Sequence, residues 1–260
     1  MKSKLFSLIL LLTFMATAGI QAQAPLADAK FAFSYHFQSG DGTNACGITY
    51  IPGANVYVTA IAGNTSFPME VFDREGNTLA SLEVGKDIRG LWYNPKTSQL
   101  EANCYGSDGW YGLKINGQGI PDGEWTPIIS GMFQPEEQSA LSYVSSKGLL
   151  VTVGNNYFST WKRSSKKPKE KPRYFHGTPG DTDWYINPYV AAYTGNDAYP
   201  LAVLELNACQ ILYFDLKGKY LGATKVDNCP EMDGFRFGFA NRHAFIYDEV
   251  DRNWKAYRVF

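Results

Sequence analysis

The sequence predicts an all-β chain: a single five-bladed β-propeller, closed by an N-terminal strand joining the C-terminal blade. Three observations carry this. The segment Val71-Phe72-Asp73-Arg74-Glu75-Gly76, running on to Val84, recurs 142 residues later as Tyr213-Phe214-Asp215-Leu216-Lys217-Gly218, running on to Val226. Phe, Asp, Gly, Leu and Val fall at matching places, and each copy reads as strand, Asp-x-x-Gly turn, strand, the outer hairpin of a blade. Second, runs rich in Val, Ile, Tyr and Phe alternate with Gly, Pro, Asn and Asp turns, and no long segment after the first 22 residues has apolar spacing of period 3.6. Third, candidate inner strands begin near 47, 90, 140, 189 and 235, a spacing of 43 to 50 residues. Five blades fit the length, whereas six, the lesser alternative, need about 270 residues at the usual blade size.

Along the chain, residues 1–22 carry Lys2 and Lys4, an apolar run over 5–15 and then small residues, the layout of a secretory signal peptide with cleavage expected after Ala22. That run is too short to span a bilayer, so no membrane insertion is expected. The domain is 23–260, expected to be secreted or periplasmic. Residues 31–37 alternate in character and are expected to form the outermost strand of the last blade. The first blade is read at 47–51, 55–61, 67–73 and 78–84, and the second at 90–93, 99–105, 110–115 and 125–129. The third is read at 140–144, 149–153, 157–162 and 173–175, and the fourth at 189–193, 201–206, 210–215 and 220–225. The fifth has 235–240, 243–248 and 254–259, one strand short, which 31–37 supplies. Closure of this kind removes exposed edges.

Seventeen Tyr, sixteen Phe and six Trp suit strands packed between sheets. A net charge of −1 gives no general attraction to nucleic acid. The Val-Phe-Asp-x-x-Gly phrase resembles β-propeller blades of the NHL type and propeller repeats generally. The Trp-Asp pair of WD-type blades is missing at the matching places. The resemblance implies the fold and no particular activity, because propellers host many.

In such a ring, the loops from the last strand of one blade to the first of the next lie over the channel. Here they hold Asp41, Asp87, Arg89, Glu136, Glu137, His176, Asp181, Asp183, Trp184 and Asp233, with Arg236 just inside. We expect ligand binding from Asp87, Arg89, Glu137, His176, Asp183, Trp184, Asp233 and Arg236, since carboxylates, arginines and a Trp around a concave mouth suit a polar small molecule or glycan. Asp181 and Asp183 are two apart, which suits oxygen ligation of Ca²⁺, but the Gly and Glu of a full calcium loop are missing, so no metal and no cofactor are expected. Asp73 and Asp215 are expected to bind the backbone of their own turns.

Four cysteines, Cys46, Cys104, Cys209 and Cys229, suit disulfides in an exported chain. The favoured pairing is Cys209 with Cys229 and Cys46 with Cys104, with Cys46 to Cys229 as the rival. Of the histidines, His36 and His243 fall in strands and His176 in a loop, and no nucleophile or dinucleotide motif is present. The run 162–171, Lys-Arg-Ser-Ser-Lys-Lys-Pro-Lys-Glu-Lys, is expected to be a hairpin loop on the face opposite the mouth. The expected function is that of an exported, non-enzymatic binding protein for a polar small molecule, glycan or protein partner at the channel face. The alternatives are a carbohydrate-active hydrolase or lyase using mouth carboxylates and a cell-envelope protein-interaction scaffold.

Overall fold

A computed structural model of the chain describes residues 26–40, 42, 44–105, 109–130, 139–179, 184–231 and 234–260. Among the described residues β1 (Lys30–His36) is the first strand, and the twenty strands form five antiparallel sheets of four. The first is β2 (Asn44–Ile51), β3 (Val56–Ala62), β4 (Pro68–Phe72) and β5 (Thr78–Glu83). The second is β6 (Ile88–Asn94), β7 (Gln99–Cys104), β8 (Gly109–Ile115) and β9 (Pro121–Ser130). The third is β10 (Ser142–Val144), β11 (Leu149–Gly154), β12 (Tyr157–Lys162) and β13 (Arg173–Tyr174). The fourth is β14 (Ile186–Tyr193), β15 (Leu201–Glu205), β16 (Gln210–Phe214) and β17 (Tyr220–Lys225). The fifth has β18 (Phe237–Ala240), β19 (His243–Asp248) and β20 (Asn253–Arg258), with β1 as its outer strand. Each inner strand abuts the next, and β18 abuts β2, so the ring is shut. The chain is a five-bladed β-propeller with no helix among the described residues.

Closure follows the expected pairing. β1 runs antiparallel to β20, with Phe31 opposite Tyr257, Tyr35 opposite Trp254 and His36 opposite Asn253. Tyr35, Phe37, Tyr57, Phe72, Phe245 and Trp254 form the core between the last blade and the first. The Trp254 indole N–H donates to Thr59 Oγ1 at 2.7 Å and Thr59 Oγ1 donates to the Gly47 carbonyl at 2.8 Å, a polar chain across the seam.

The two copies of the repeat are superimposable in their bonding. Asp73 N–H donates to the Asn77 carbonyl at 3.0 Å and Gly76 N–H to the Asp73 carbonyl; Asp215, Lys219 and Gly218 do the same. Gly76 and Gly218 both have φ of +91°, the left-handed conformation that glycine takes without steric cost. In each, the register shifts at the residue before the Asp, and the carboxylate accepts N–H bonds within its own turn, from Asn77 or from Lys217 and Lys219. A third copy appears in the second blade, where Asn116 takes the Asp position and accepts from the N–H groups of Gln118 and Ile120. The Asp73 and Asp215 turns dock on the preceding blade: the Tyr35 hydroxyl donates to the Arg74 carbonyl, the His176 N–H donates to the Gly218 carbonyl, and the Tyr220 N–H donates to the His176 carbonyl. The repeat is therefore the clamp between blades.

The inner strands approach closely because small residues face the gap. A Cβ on Gly90 would lie 2.5 Å from Leu141 N and from Asn103 Oδ1. Asn103 itself bonds the Ser139 carbonyl and the Leu141 N–H, tying the second blade to the third. The disulfide Cys209–Cys229 joins the β15–β16 turn to the chain leading into the fifth blade and closes a loop of 20 residues. By loop-closure entropy it stabilises the fold by about 3 kcal/mol. Reducing it, or replacing both cysteines by serine, is expected to lower the free energy of urea unfolding by that order. An unchanged midpoint would mean that the Val226 N–H bond to the Cys209 carbonyl already holds the loop.

Candidate functional site

Two faces of the ring differ in construction. The turns joining the first to the second and the third to the fourth strand of each blade make a turn face. The blade-to-blade connections and the turns joining second to third strands make a loop face. A cavity of about 370 Å³ opens on the turn face, opposite to the expected mouth. That volume lies within the roughly 300–1,000 Å³ of small-molecule sites. It is walled by the inner strands β2, β6, β10, β14 and β18, one from each blade, and by turn residues including Pro52, Pro95, Ser145, Gly195 and Arg242.

At or one residue pair in from the turn-side end, every inner strand carries an aromatic residue that lines the cavity: Tyr50, Tyr93, Tyr143, Tyr193 and Phe239. Alternation explains the arrangement, because each ring sits on the side of its strand toward the preceding blade. Tyr50 packs on Tyr57, and Tyr143 belongs to the cluster between the second and third blades. Backbone N–H groups of Tyr93 and Tyr193 donate to Thr49 Oγ1 and Ser142 Oγ of the preceding inner strand, at 3.0 and 2.8 Å, which fixes both residues. The Tyr50 hydroxyl donates to Asn55 Oδ1 at 2.5 Å and the Tyr193 hydroxyl to Ser146 Oγ at 3.2 Å. Each phenol oxygen keeps lone pairs for another donor. Burial, and after it the Glu101 carboxylate, raises the Tyr143 pKa, so this phenol stays neutral.

At the rim, β18 and β19 are joined by the two-residue turn Asn241-Arg242, with φ of +46° and +66°. Two left-handed residues in a two-residue hairpin are the geometry that Asn-Gly serves without strain. Arginine in the second place costs roughly 1 kcal/mol. Its side chain is exposed at the cavity mouth.

The loop face accounts for the nominated residues differently. Asp41, Glu136, Glu137, Asp181, Asp183 and Asp233 lie outside the described residues. Asp87 and Arg89 are brought together: the guanidinium grips both carboxylate oxygens, and Asp87 Oδ1 also accepts the Gly63 N–H at 2.8 Å. Arg89 is only 6% exposed. Its guanidinium lies 4.7 Å from the Tyr105 ring of its own blade and 5.3 Å from Phe235, which leads into the fifth blade. It therefore spans the upper end of the inner strands, above the cavity, whose lining ends at Gly47, Gly90, Ala140 and Val190. Arg236 pairs with Glu249 at 2.7 Å. His176 stands at the outer edge of the ring, bridged to the Lys219 turn, with Nδ1 3.0 Å from the Tyr174 carbonyl. Trp184 packs against Tyr220 in the core between the third and fourth blades.

The expected Cys46–Cys104 bridge is corrected: the two are not joined by a disulfide, and both are fully buried. The Ile88 backbone explains it, since its carbonyl takes the Cys46 S–H at 3.1 Å while Ile88 is the register partner of Cys104. Burial raises the Cys46 pKa far above the usual thiol range, which removes it as a nucleophile or metal ligand. Sequence reading missed the cavity aromatics, although a signal existed. Small, apolar, small, aromatic recurs as Gly47-Ile48-Thr49-Tyr50 and Ala140-Leu141-Ser142-Tyr143, with looser versions at Gly90, Val190 and Arg236.

No protein-family model matches the chain, and no curated protein matches it. Among solved structures it is similar to an auxiliary nutrient binding protein from Bacteroides thetaiotaomicron VPI-5482, at 15% identity and a TM-score of 0.46 over 82% of this chain and 58% of that one. It is also similar to a chain of a nidogen/laminin complex, at 13% identity and TM-score 0.43 over 72% of this chain and 65% of that one. A hydrazine synthase of Kuenenia stuttgartiensis matches at 10% identity and TM-score 0.45 over 82% of each chain. The chain thus spans less than two thirds of the first two.

Proposed function

We propose that this chain is an exported, non-catalytic propeller that binds a small polar ligand, a sugar unit of a glycan, in the axial cavity at its turn face. The observation that carries the reading is the five-membered aromatic ring around that cavity, one residue from each blade. Aromatic faces pack on the apolar faces of sugar rings, and tyrosine hydroxyls beside them give hydrogen bonds for orientation. The five inner strands are locked to one another, so the site is ordered before the ligand arrives and little entropy is lost on binding. Among the described residues the cavity lining holds no Asp, Glu, His or Cys, whereas glycoside hydrolysis uses a pair of carboxylates. The leader-like residues 1–22 and the disulfide both support a place outside the reducing cytoplasm.

Glycan-array screening followed by calorimetry, with mass spectrometry of the recovered sugar, tests the reading. Retention without turnover is expected, and Tyr93→Ala and Tyr193→Ala should each weaken binding about tenfold, equivalent to about 1.4 kcal/mol. Sugar turnover, or affinity unchanged in both variants, would overturn it.

A further inference from the structure

We propose that the sugar taken by the axial cavity is acidic, part of a glycan bearing carboxylate or sulfate groups, with Arg242 pairing its charge at the rim and the basic hairpin after β12 holding neighbouring units. The proposal rests on the reading of the cavity as a sugar site and adds the charge of the sugar.

Arg242 is the first reason. A rim position that glycine would occupy without strain is held by an arginine in the left-handed conformation, exposed at the mouth and making no ion pair among the described residues. The left-handed arginine places a cation at the mouth where glycine would leave none.

Its surroundings are the second. Arg258 is the cross-strand partner of His243, the residue following Arg242, and Arg74 stands on the docked turn beside Tyr35. Arg258, Arg242 and Arg74 all help to hold the His243 pKa below its ordinary value, after burial, so these cations share one neighbourhood. None of the three makes an ion pair among the described residues. Of the three, Arg242 lines the cavity mouth, where its charge favours an anion.

The opposite side of the mouth repeats the sign. Lys96 and Lys147 are exposed on the turns of the second and third blades, with Lys96 Nζ close against Gly148. Behind them the basic hairpin is a built element: Arg163 is anchored on the buried Glu101 at 2.8 Å, Lys169 N–H donates to the Thr160 carbonyl at 2.7 Å, and Pro168 bridges to Trp161. Lys166, Lys167 and Lys171 are left exposed without ion pairs among the described residues. Residues 162–172 hold no large apolar side chain to enter a bilayer, which favours a glycan over a lipid surface.

Calorimetry and retention on the full mature chain test this with polygalacturonate and chondroitin sulfate oligosaccharides against neutral malto- and cello-oligosaccharides, vesicles containing phosphatidylglycerol, and oligo-dT. Acidic oligosaccharides are expected to bind more tightly than neutral ones and to weaken as salt rises from 50 to about 200 mM, the sign of charge pairing. Arg242→Gly should melt at the same or a higher temperature yet bind the acidic sugar about tenfold more weakly. Lys166→Ala/Lys167→Ala/Lys169→Ala should weaken long acidic chains more than short ones. Neutral sugars bound as tightly as acidic ones, with Arg242→Gly without effect, would overturn the acidic ligand and leave the sugar site standing. Retention only on vesicles or oligo-dT would overturn it in favour of those partners. Absence of binding to either sugar class would overturn both readings.

Discussion

Tyr35→Ala is expected to destabilise the protein by about 3–5 kcal/mol, the cost of emptying an aromatic site in a packed core. Tyr35 is 1% exposed. Its ring stacks on Phe72 at 5.5 Å with an interplanar angle of 10°, meets Tyr57 at 5.0 Å, and reaches Phe245 at 6.3 Å. The hydroxyl donates to the Arg74 carbonyl at 3.3 Å, so one side chain links the closing strand, the first blade and the last blade. Urea unfolding of wild type and variant checks it, and a change below about 1 kcal/mol would show that the ring stays shut without this contact. Tyr35→Phe, which keeps the ring and loses the hydrogen bond, should cost only about 1 kcal/mol.

Glu101→Ala is expected to cost about as much, roughly 3–5 kcal/mol, for a different reason. Its carboxylate has no exposed surface and serves several donors. Trp92 Nε1 donates to one oxygen at 3.0 Å, while Asn94 Nδ2 at 2.8 Å, Thr97 Oγ1 at 3.2 Å and Arg163 Nε at 2.8 Å share the other. Removing the acceptor strands buried donors and leaves the arginine that anchors the basic hairpin without its partner. Arg163→Ala alone should cost less, since that side chain is 33% exposed and water can take its place. A double-mutant cycle in chemical unfolding measures the coupling, and additive effects would show that the hairpin is not held through Glu101.

Much of the architecture is legible in the chain because propeller strands are short, local and punctuated. The outer hairpin repeats bond their own turns, so Asp73, Gly76, Asp215 and Gly218 declare themselves without help from distant residues. The third copy was hidden because Asn116 replaces Asp and keeps only the acceptor oxygen that the turn needs. Cys209 and Cys229 meet as expected because they close a short loop, whereas Cys46 and Cys104 depend on how two blades slide past the Ile88 backbone. The cavity and the polar loops fall on opposite faces for a related reason. Loop composition marks where polar residues are, but Arg89, a residue nominated for the ligand, lies across the inner strands, held by Asp87 and by two rings.

By itself the sequence determined the number of blades, their order and the sealing of the last by residues from the start of the chain. Those follow from alternation and turn chemistry, which act over a few residues at a time. Only the tertiary structure decided which end of the axis opens, that five aromatic residues, roughly one blade apart in sequence, form one ring, and that Glu101 is a buried acceptor. These depend on the radius at which five inner strands pack and on which side chains then meet, quantities that no local pattern of residues contains.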